Sequence, residues 1–293
     1  MVKILHVHDQ AGVACVLAKY QRKLGHEVEV AIRDGFDGYG VQKFYGVHPV
    51  TPKVPQLKQL SFLGKVVRYS FRQFTTLMFY VYILVYSRKF DVVHIHSCWV
   101  ASFFVFKPKV VEFHGDDIRG FPSMKLKVDR VATDFFVEHW KGKIKFLVST
   151  PDLLADLPEA ELLPNPVDLD HFNRTASQNG KSVYFFNWHE SDTSRVFHLA
   201  YEAQLFPLEG TLIMNRADDA FVEYSELPRF LSCFEFLIDR EGIHSLSKTA
   251  LEALAQGLKV VDWKDRVIDF FPEEHNPHMV ANQTVSIYQE AMA

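Results

Sequence analysis

Residues 2–32 read as strand, loop, helix, glycine stop and strand, and that order leaves few folds open. Val2–Val7 is a short run rich in β-branched residues, and Gly12 lies in the loop that follows. Val13–Leu24 has the apolar spacing of an amphipathic helix, and Gly25 is the residue type that ends helices. His26–Ile32 (HEVEVAI) alternates apolar and polar residues, as a half-buried strand does. Two strands joined through a helix run parallel with a right-handed crossover. The opening therefore predicts an α/β chain in which ligands gather at the carboxyl ends of the strands.

The same grammar continues. Asp91–Ile95 (DVVHI), Lys109–Phe113 (KVVEF) and Ile144–Ser149 read as buried strands. The first two end in polar groups, His96-Ser97 and His114-Gly115-Asp116. Lys43–Gln59 holds three prolines and reads as an irregular loop, and Leu60–Lys89 as helix in one or two pieces. Thr150-Pro151-Asp152 opens a short helix that runs to Ala155. Leu163–Asp168 (LPNPVD) sets two prolines around an asparagine, which makes it stiff and extended. A boundary is expected just after it, because Ser182–Phe186 restarts the strand pattern. Leu231–Ile238 (LSCFEFLI) reads as a further apolar strand with Asp239 and Arg240 at its end, and Asn282–Met292 as a terminal helix. The expected units are 1–167, 168–275 and a C-terminal helix within 276–293.

Bulk properties bound the function. A chain of 293 residues at 48% hydrophobic content buries a core of one large or two smaller domains. Its net charge of −4, from 32 basic and 36 acidic residues, carries no nucleic-acid signature. Cys15, Cys98 and Cys233 are scattered and odd in number, which fits a reducing, cytoplasmic setting. The start, MVKILHV, lacks the long apolar core of a signal peptide.

One window departs from the average. Gly38–Phe90 contains no acid and eight basic residues, and it encloses the uncharged FTTLMFYVYILVY, Phe74–Tyr86. Thirteen residues are too few for a spanning helix, which needs about 20. Basic residues beside an aromatic apolar segment suit an anionic membrane surface, with residues 60–89 as the contact. A buried core helix with a basic end fits the same pattern.

Ser245–Val261 (SLSKTALEALAQGLKVV) carries the clearest chemistry. A polar loop leads into a short helix that stops at Gly257, and a buried strand follows. The start of such a helix offers free N–H groups and the positive end of its dipole to a phosphate. Glu252, one turn in, can accept hydrogen bonds from sugar hydroxyls. Elsewhere His6/His8 and His94/His96 are paired at i, i+2, so each pair lies on one side of a strand. With His114 and Asp116 they offer a metal set of the kind found in some hydrolases.

Four segments in order resemble the family 4 glycosyltransferases: the opening unit ending in LGHEVEV; DVVHIHS with VVEFHGDDIRG; LVSTPDLL with LPNPVDLDHF; and KTALEALAQGLKVV. The resemblance spans most of the chain. It implies a GT-B fold, two Rossmann-like domains facing across a cleft, with a shortened second domain. It also implies sugar transfer with retention, no metal or other cofactor, and a nucleotide-diphospho-sugar as donor. The acceptor implied is a hydroxyl on a glycan or lipid-linked molecule. The donor is implied to sit on the C-terminal domain and the acceptor on the N-terminal one, with the last helix crossing back.

Carried onto this sequence, the resemblance makes His114 the catalytic candidate beside the reacting bond. Glu252, Ser245, Ser247, Lys248, His244 and Arg195 become donor-binding candidates. Gly12, Asp116 and Asp117 are placed on the acceptor side. Two departures stand out. His244 occupies the place of the first of two acids that the family commonly carries. The stretch FFNWHESDTSRVFHLA holds only Arg195 where an Arg and a Lys-Gly pair are usual. They motivate the alternative of a catalytically weak or inactive GT-B scaffold.

Overall fold

Short β-branched runs build two separate sheets, wound in the same order. The computed structural model describes residues 1–35, 37, 39–53, 62–115, 118, 127–173, 176–186, 196, 198–205, 211–215, 222–240 and 244–293. The first sheet comes from β1 (Lys3–Val7), β2 (Glu27–Ala31), β3 (Val92–His96), β4 (Lys109–Phe113), β5 (Lys145–Val148) and β6 (Glu161–Leu162), in the order β2-β1-β3-β4-β5-β6. Every pairing in it is parallel. Helices α1 (Val13–Lys23), α2 (Val41–Phe44), α3 (Phe62–Tyr86) and α4 (Lys127–Trp140) belong to this half.

The second sheet holds β7 (Ser182–Phe186), β8 (Leu212–Asn215), β9 (Phe236–Ile238), β10 (Lys259–Val261) and β11 (Val267–Ile268). Its order is β11-β10-β9-β7-β8, parallel except for the last hairpin partner β11. Helices α5 (Leu227–Leu231) and α6 (Lys248–Gln256) flank it. In each sheet the first strand lies between the second and the third. The chain therefore reverses direction across the sheet at β1/β3 and again at β7/β9. Such reversal points open a crevice at the carboxyl ends of the strands.

Helix α7 (Pro277–Met292) returns to the first sheet. Val280, Ile287 and Tyr288 are buried with Ile4, Leu17, Val92, Val110 and Leu147. Burial of side chains this size contributes about 1.5–3 kcal/mol each. The helix starts five residues before Asn282, because Asn276 caps it by accepting from the His278 N–H at 3.1 Å and Pro277 fits its first position. LSCFEFLI is shorter as a strand than its apolar content suggests. Leu231 closes α5, and only Phe236–Ile238 joins the sheet.

Leu163–Asp168 belongs to neither helix nor strand, in keeping with its prolines, and it is anchored at its end. Asp168 is wholly buried. Its carboxylate accepts from Lys19 Nζ at 2.7 and 2.8 Å, from the Tyr45 hydroxyl at 2.7 Å and from the Tyr20 hydroxyl at 3.1 Å. Burial opposes its charge, but these donors outweigh burial and hold the carboxyl below its ordinary range. A depressed carboxyl contributes stability above its unfolded value, about 3.9, and that contribution disappears as pH falls through the folded value. Asp168→Asn is expected to cost about 2 kcal/mol at pH 7, leaving buried donors poorly matched. In denaturant titrations the gap to wild type should narrow below about pH 4; a gap constant from pH 7 to pH 3 would contradict this account.

Candidate active site

The carboxyl ends of both sheets line one cleft of about 630 Å³. Asp9, Gly12, Gln42, His114 and Thr150 approach from the first half; Tyr224, Asp239, Arg240, Ser247, Lys248 and Glu252 approach from the second.

Helix α6 is built as its sequence implies. Ser247 is extended and accepts from the Ala250 N–H at 3.0 Å, which caps the helix, and Gly257 ends it with φ 92°. Asp239, at the end of β9, accepts from the Ser247 N–H at 2.9 Å and holds the entry loop against the sheet. Lys248, Thr249 and Glu252 present the first turn to the cleft. Glu252 is almost fully buried, with Oε1 3.7 Å from Lys248 Nζ. The same ammonium donates to the Pro166 carbonyl, which ties α6 to LPNPVD. Burial lowers the Lys248 pKa, while Glu252, Asp168 and Asp9 oppose that.

Helix α1 is different. The Asp9 carboxylate accepts from the Ala14 N–H at 2.9 Å and the Cys15 N–H at 3.3 Å, so it already neutralises that helix start. The α6 start is capped instead by a neutral hydroxyl, that of Ser247. Gly12, φ 80°, passes so close to α2 that a Cβ there would lie 2.6 Å from Val41 Cγ1. Its close approach is to Val41 as well as to the cleft.

The predicted residues divide accordingly. His114, Gly12, Ser247, Lys248 and Glu252 come together around the cleft, although the Ser247 hydroxyl is used by the cap. Ser245 is buried and His244 exposed, and neither lines the cleft. Arg195, Asp116 and Asp117 lie outside the described residues. Arg240 supplies a second basic side chain to the lining.

Beneath His114 the sheet face is polar. His6 and His94 are register partners on β1 and β3, as are His96 and Glu112 on β3 and β4, and all four are wholly buried. Burial lowers His6 and His96 to about 3 and His94 to about 4. Burial also works against a charge on Glu112, yet the histidines, His114 first, bring it well below the usual carboxylate range. His8, the second member of the first pair, instead turns out of the strand with φ 69°. The pairing at i, i+2 marked the shared side; Glu112, Gln21 and Tyr288, which complete the cluster, were missed. An acid inside the apolar strand KVVEF was the one available signal.

Two substitutions test this local account. Ser247→Ala removes the cap and should cost about 1 kcal/mol. Gly12→Ala adds left-handed strain to a collision with Val41 and should cost about 1–3 kcal/mol. Equilibrium denaturation measures both, and a Gly12→Ala chain as stable as wild type would show the loop is not so constrained.

No family model and no curated protein matches the chain. Among solved structures, a sucrose-phosphate synthase from Thermosynechococcus elongatus is similar over 99% of this chain and 90% of its own, with a TM-score of 0.51 at 11% identity. A UDP-GlcNAc 2-epimerase from Neisseria meningitidis is similar over 99% and 94%, with 0.48 at 13%. The spinosyn forosaminyltransferase SpnP is similar over 99% and 91%, with 0.44 at 14%. The fold is GT-B: two Rossmann-like halves facing across a cleft.

Proposed function

We propose that this chain is a retaining glycosyltransferase of the family 4 type, moving a sugar from a nucleotide-diphosphate donor to a hydroxyl of a glycan or lipid-linked acceptor. The observation that carries the reading is the pairing of the α6 start and Glu252 with His114 around one cleft. In this reading the amides of the first α6 turn hold the diphosphate, where the helix dipole and N–H groups favour negative charge. Glu252 accepts from the ribose hydroxyls. His114 hydrogen-bonds the sugar or the departing diphosphate. Catalysis rests on orienting the two substrates and on stabilising charge on the leaving group. No step in it calls for a metal ion.

A second reading has its own support. Lys248 is committed to Pro166 and Glu252, and His244 stands away from the cleft in place of an acid. Both favour a GT-B scaffold that no longer transfers sugar. Thermal shift with UDP, GDP and ADP separates the two, since a ligand of the native state raises the melting temperature once it exceeds its Kd. The enzyme reading expects a shift with one of the three, and its loss in Glu252→Ala. No shift with any of them at millimolar concentration supports the scaffold.

We also read α3 as the contact with an anionic membrane. Phe74, Leu77, Met78, Val81 and Val85 are exposed along one stripe, with exposed Arg68 and Arg72 on the same helix. No described helix is long and apolar enough to cross a membrane. A surface-lying helix of this kind should co-sediment with anionic vesicles at low salt and release at high salt. Absence of low-salt binding would remove the membrane from the proposal.

A further inference from the structure

The buried histidine cluster under the cleft encloses a carboxylate, Glu112, neither oxygen of which has a hydrogen-bond partner. Gln21, from α1, touches both of its ends. Gln21 Oε1 lies 2.8 Å from His6 Nε2, and Gln21 Nε2 lies 3.4 Å from the Tyr288 hydroxyl. From His6 the chain continues through Nδ1 to His96 Nε2 at 2.9 Å. From Tyr288 it continues to His94 Nδ1 at 2.8 Å. Both chains end at Glu112 Oε2, which is 3.1 Å from His96 Nδ1 and 3.1 Å from His94 Nε2. Neither contact has hydrogen-bond geometry, and both Glu112 oxygens are buried without a hydrogen-bond partner.

An amide has one donor end and one acceptor end, and a neutral imidazole has one N–H and one lone pair. If the Gln21 oxygen accepts from His6, then His6 accepts from His96, and His96 turns a lone pair towards Glu112. Along the other chain, Tyr288 accepts from the Gln21 amide and donates to His94, so His94 turns its N–H towards Glu112. Reversing the amide exchanges the roles of the two histidines. In the first arrangement His114 Nε2 is near enough, at 3.2 Å, to donate to the His96 lone pair; in neither arrangement does a Glu112 oxygen gain a hydrogen-bond partner. A buried carboxylate left that way, with imidazole nitrogens of His94 and His96 each 3.1 Å from it, fits a cation held among them.

His114 supplies a third ligand atom. Its Nε2 is 3.2 Å from His96 Nδ1 and 3.7 Å from Glu112 Oε2. In a tetrahedral site with bonds of about 2.0–2.1 Å, neighbouring ligand atoms lie about 3.3 Å apart. The three separations here, 3.1, 3.2 and 3.7 Å, bracket that value. Two histidines and one carboxylate are a donor set that binds zinc with one position left for solvent or substrate, and that also suits ferrous iron.

We propose that His96, Glu112 and His114 bind a divalent transition-metal ion, with zinc the best match, at the floor of the cleft. The outer partners fit this role. With the Gln21 oxygen accepting from His6, His96 gives its other N–H to His6, and Gln21 fixes His6 in turn, which orients the ligating nitrogen. Ligation through Nε2 leaves Nδ1 as the remaining donor of His114, a residue that lines the cleft. The nearby set His6, His94 and His96 is also close enough to share an ion, but it lacks the carboxylate charge. The site shares His114 with the proposed sugar transfer, but metal binding is read without any donor, so its test stands apart from that reading.

The experiment uses the tag-free full chain, stripped with a chelator and titrated with Co²⁺ while its visible d–d absorption is followed, then challenged with Zn²⁺. One Co²⁺ per chain, with a d–d band that Zn²⁺ displaces, is the expected result. His114→Ala, at the rim of the cluster, should keep the fold by circular dichroism and weaken the ion by more than the roughly 10–100-fold that loss of an outer partner costs. Glu112→Gln should weaken it at least as much, and His48→Ala, on the surface, should leave it unchanged. A folded wild-type chain without the band overturns the proposal. So does a His114→Ala chain that binds cobalt as tightly as wild type.

Discussion

The grip on LPNPVD is the interaction on which the architecture depends. Two sheets with the same winding have their functional edges at the strand carboxyl ends, but nothing in that winding makes the edges meet. Asp168 is held by Lys19 and Tyr20 of α1 and by Tyr45, which follows α2, while Lys248 of α6 donates to Pro166 two residues earlier. The linker is thus fastened to the first half by a carboxylate and to the second by a carbonyl. His275 adds a further tie, with Nδ1 2.8 Å from the Asn165 carbonyl. A flexible linker of the same length would leave the cleft as two unrelated surfaces.

That arrangement costs something at the site. Lys248, the lysine nearest the α6 start, is spent on holding the linker and on Glu252. What remains for an anion is the helix start itself, because the Asp9 carboxylate occupies the corresponding position on α1. Both helix starts thus carry a side-chain cap, the Asp9 carboxylate on α1 and the uncharged Ser247 hydroxyl on α6, with the Asp239 carboxylate one residue ahead of α6 on the Ser247 N–H. That difference in charge is the reason for proposing the diphosphate on the C-terminal half.

Much of this was legible in the sequence. The strands of the first sheet stand where short β-branched runs end in polar residues, since a parallel sheet buried on both faces demands such runs. Gly257 and Val260–Val261 were read in the right roles because helix stops are local, whereas Ser247, read as a donor contact, spends its hydroxyl on the cap. The errors were non-local. LSCFEFLI looked like one strand because α5 contributes Leu231 from the same apolar content. Ser245 and His244, assigned to the donor by the resemblance, do not line the cleft, because the turn into the cap carries them away. The histidine cluster needs strand register and two helices: Tyr288 meets His94 across 194 residues, a contact no spacing rule contains.

The central claim is that the α6 start holds a nucleotide diphosphate, and a crystal structure grown with the nucleotide that gives the largest thermal shift tests it most directly. The account predicts phosphate density within hydrogen-bonding distance of the Lys248 and Thr249 amides, with the ribose on Glu252. Density elsewhere in the cleft, or an empty helix start at saturating nucleotide, would contradict it.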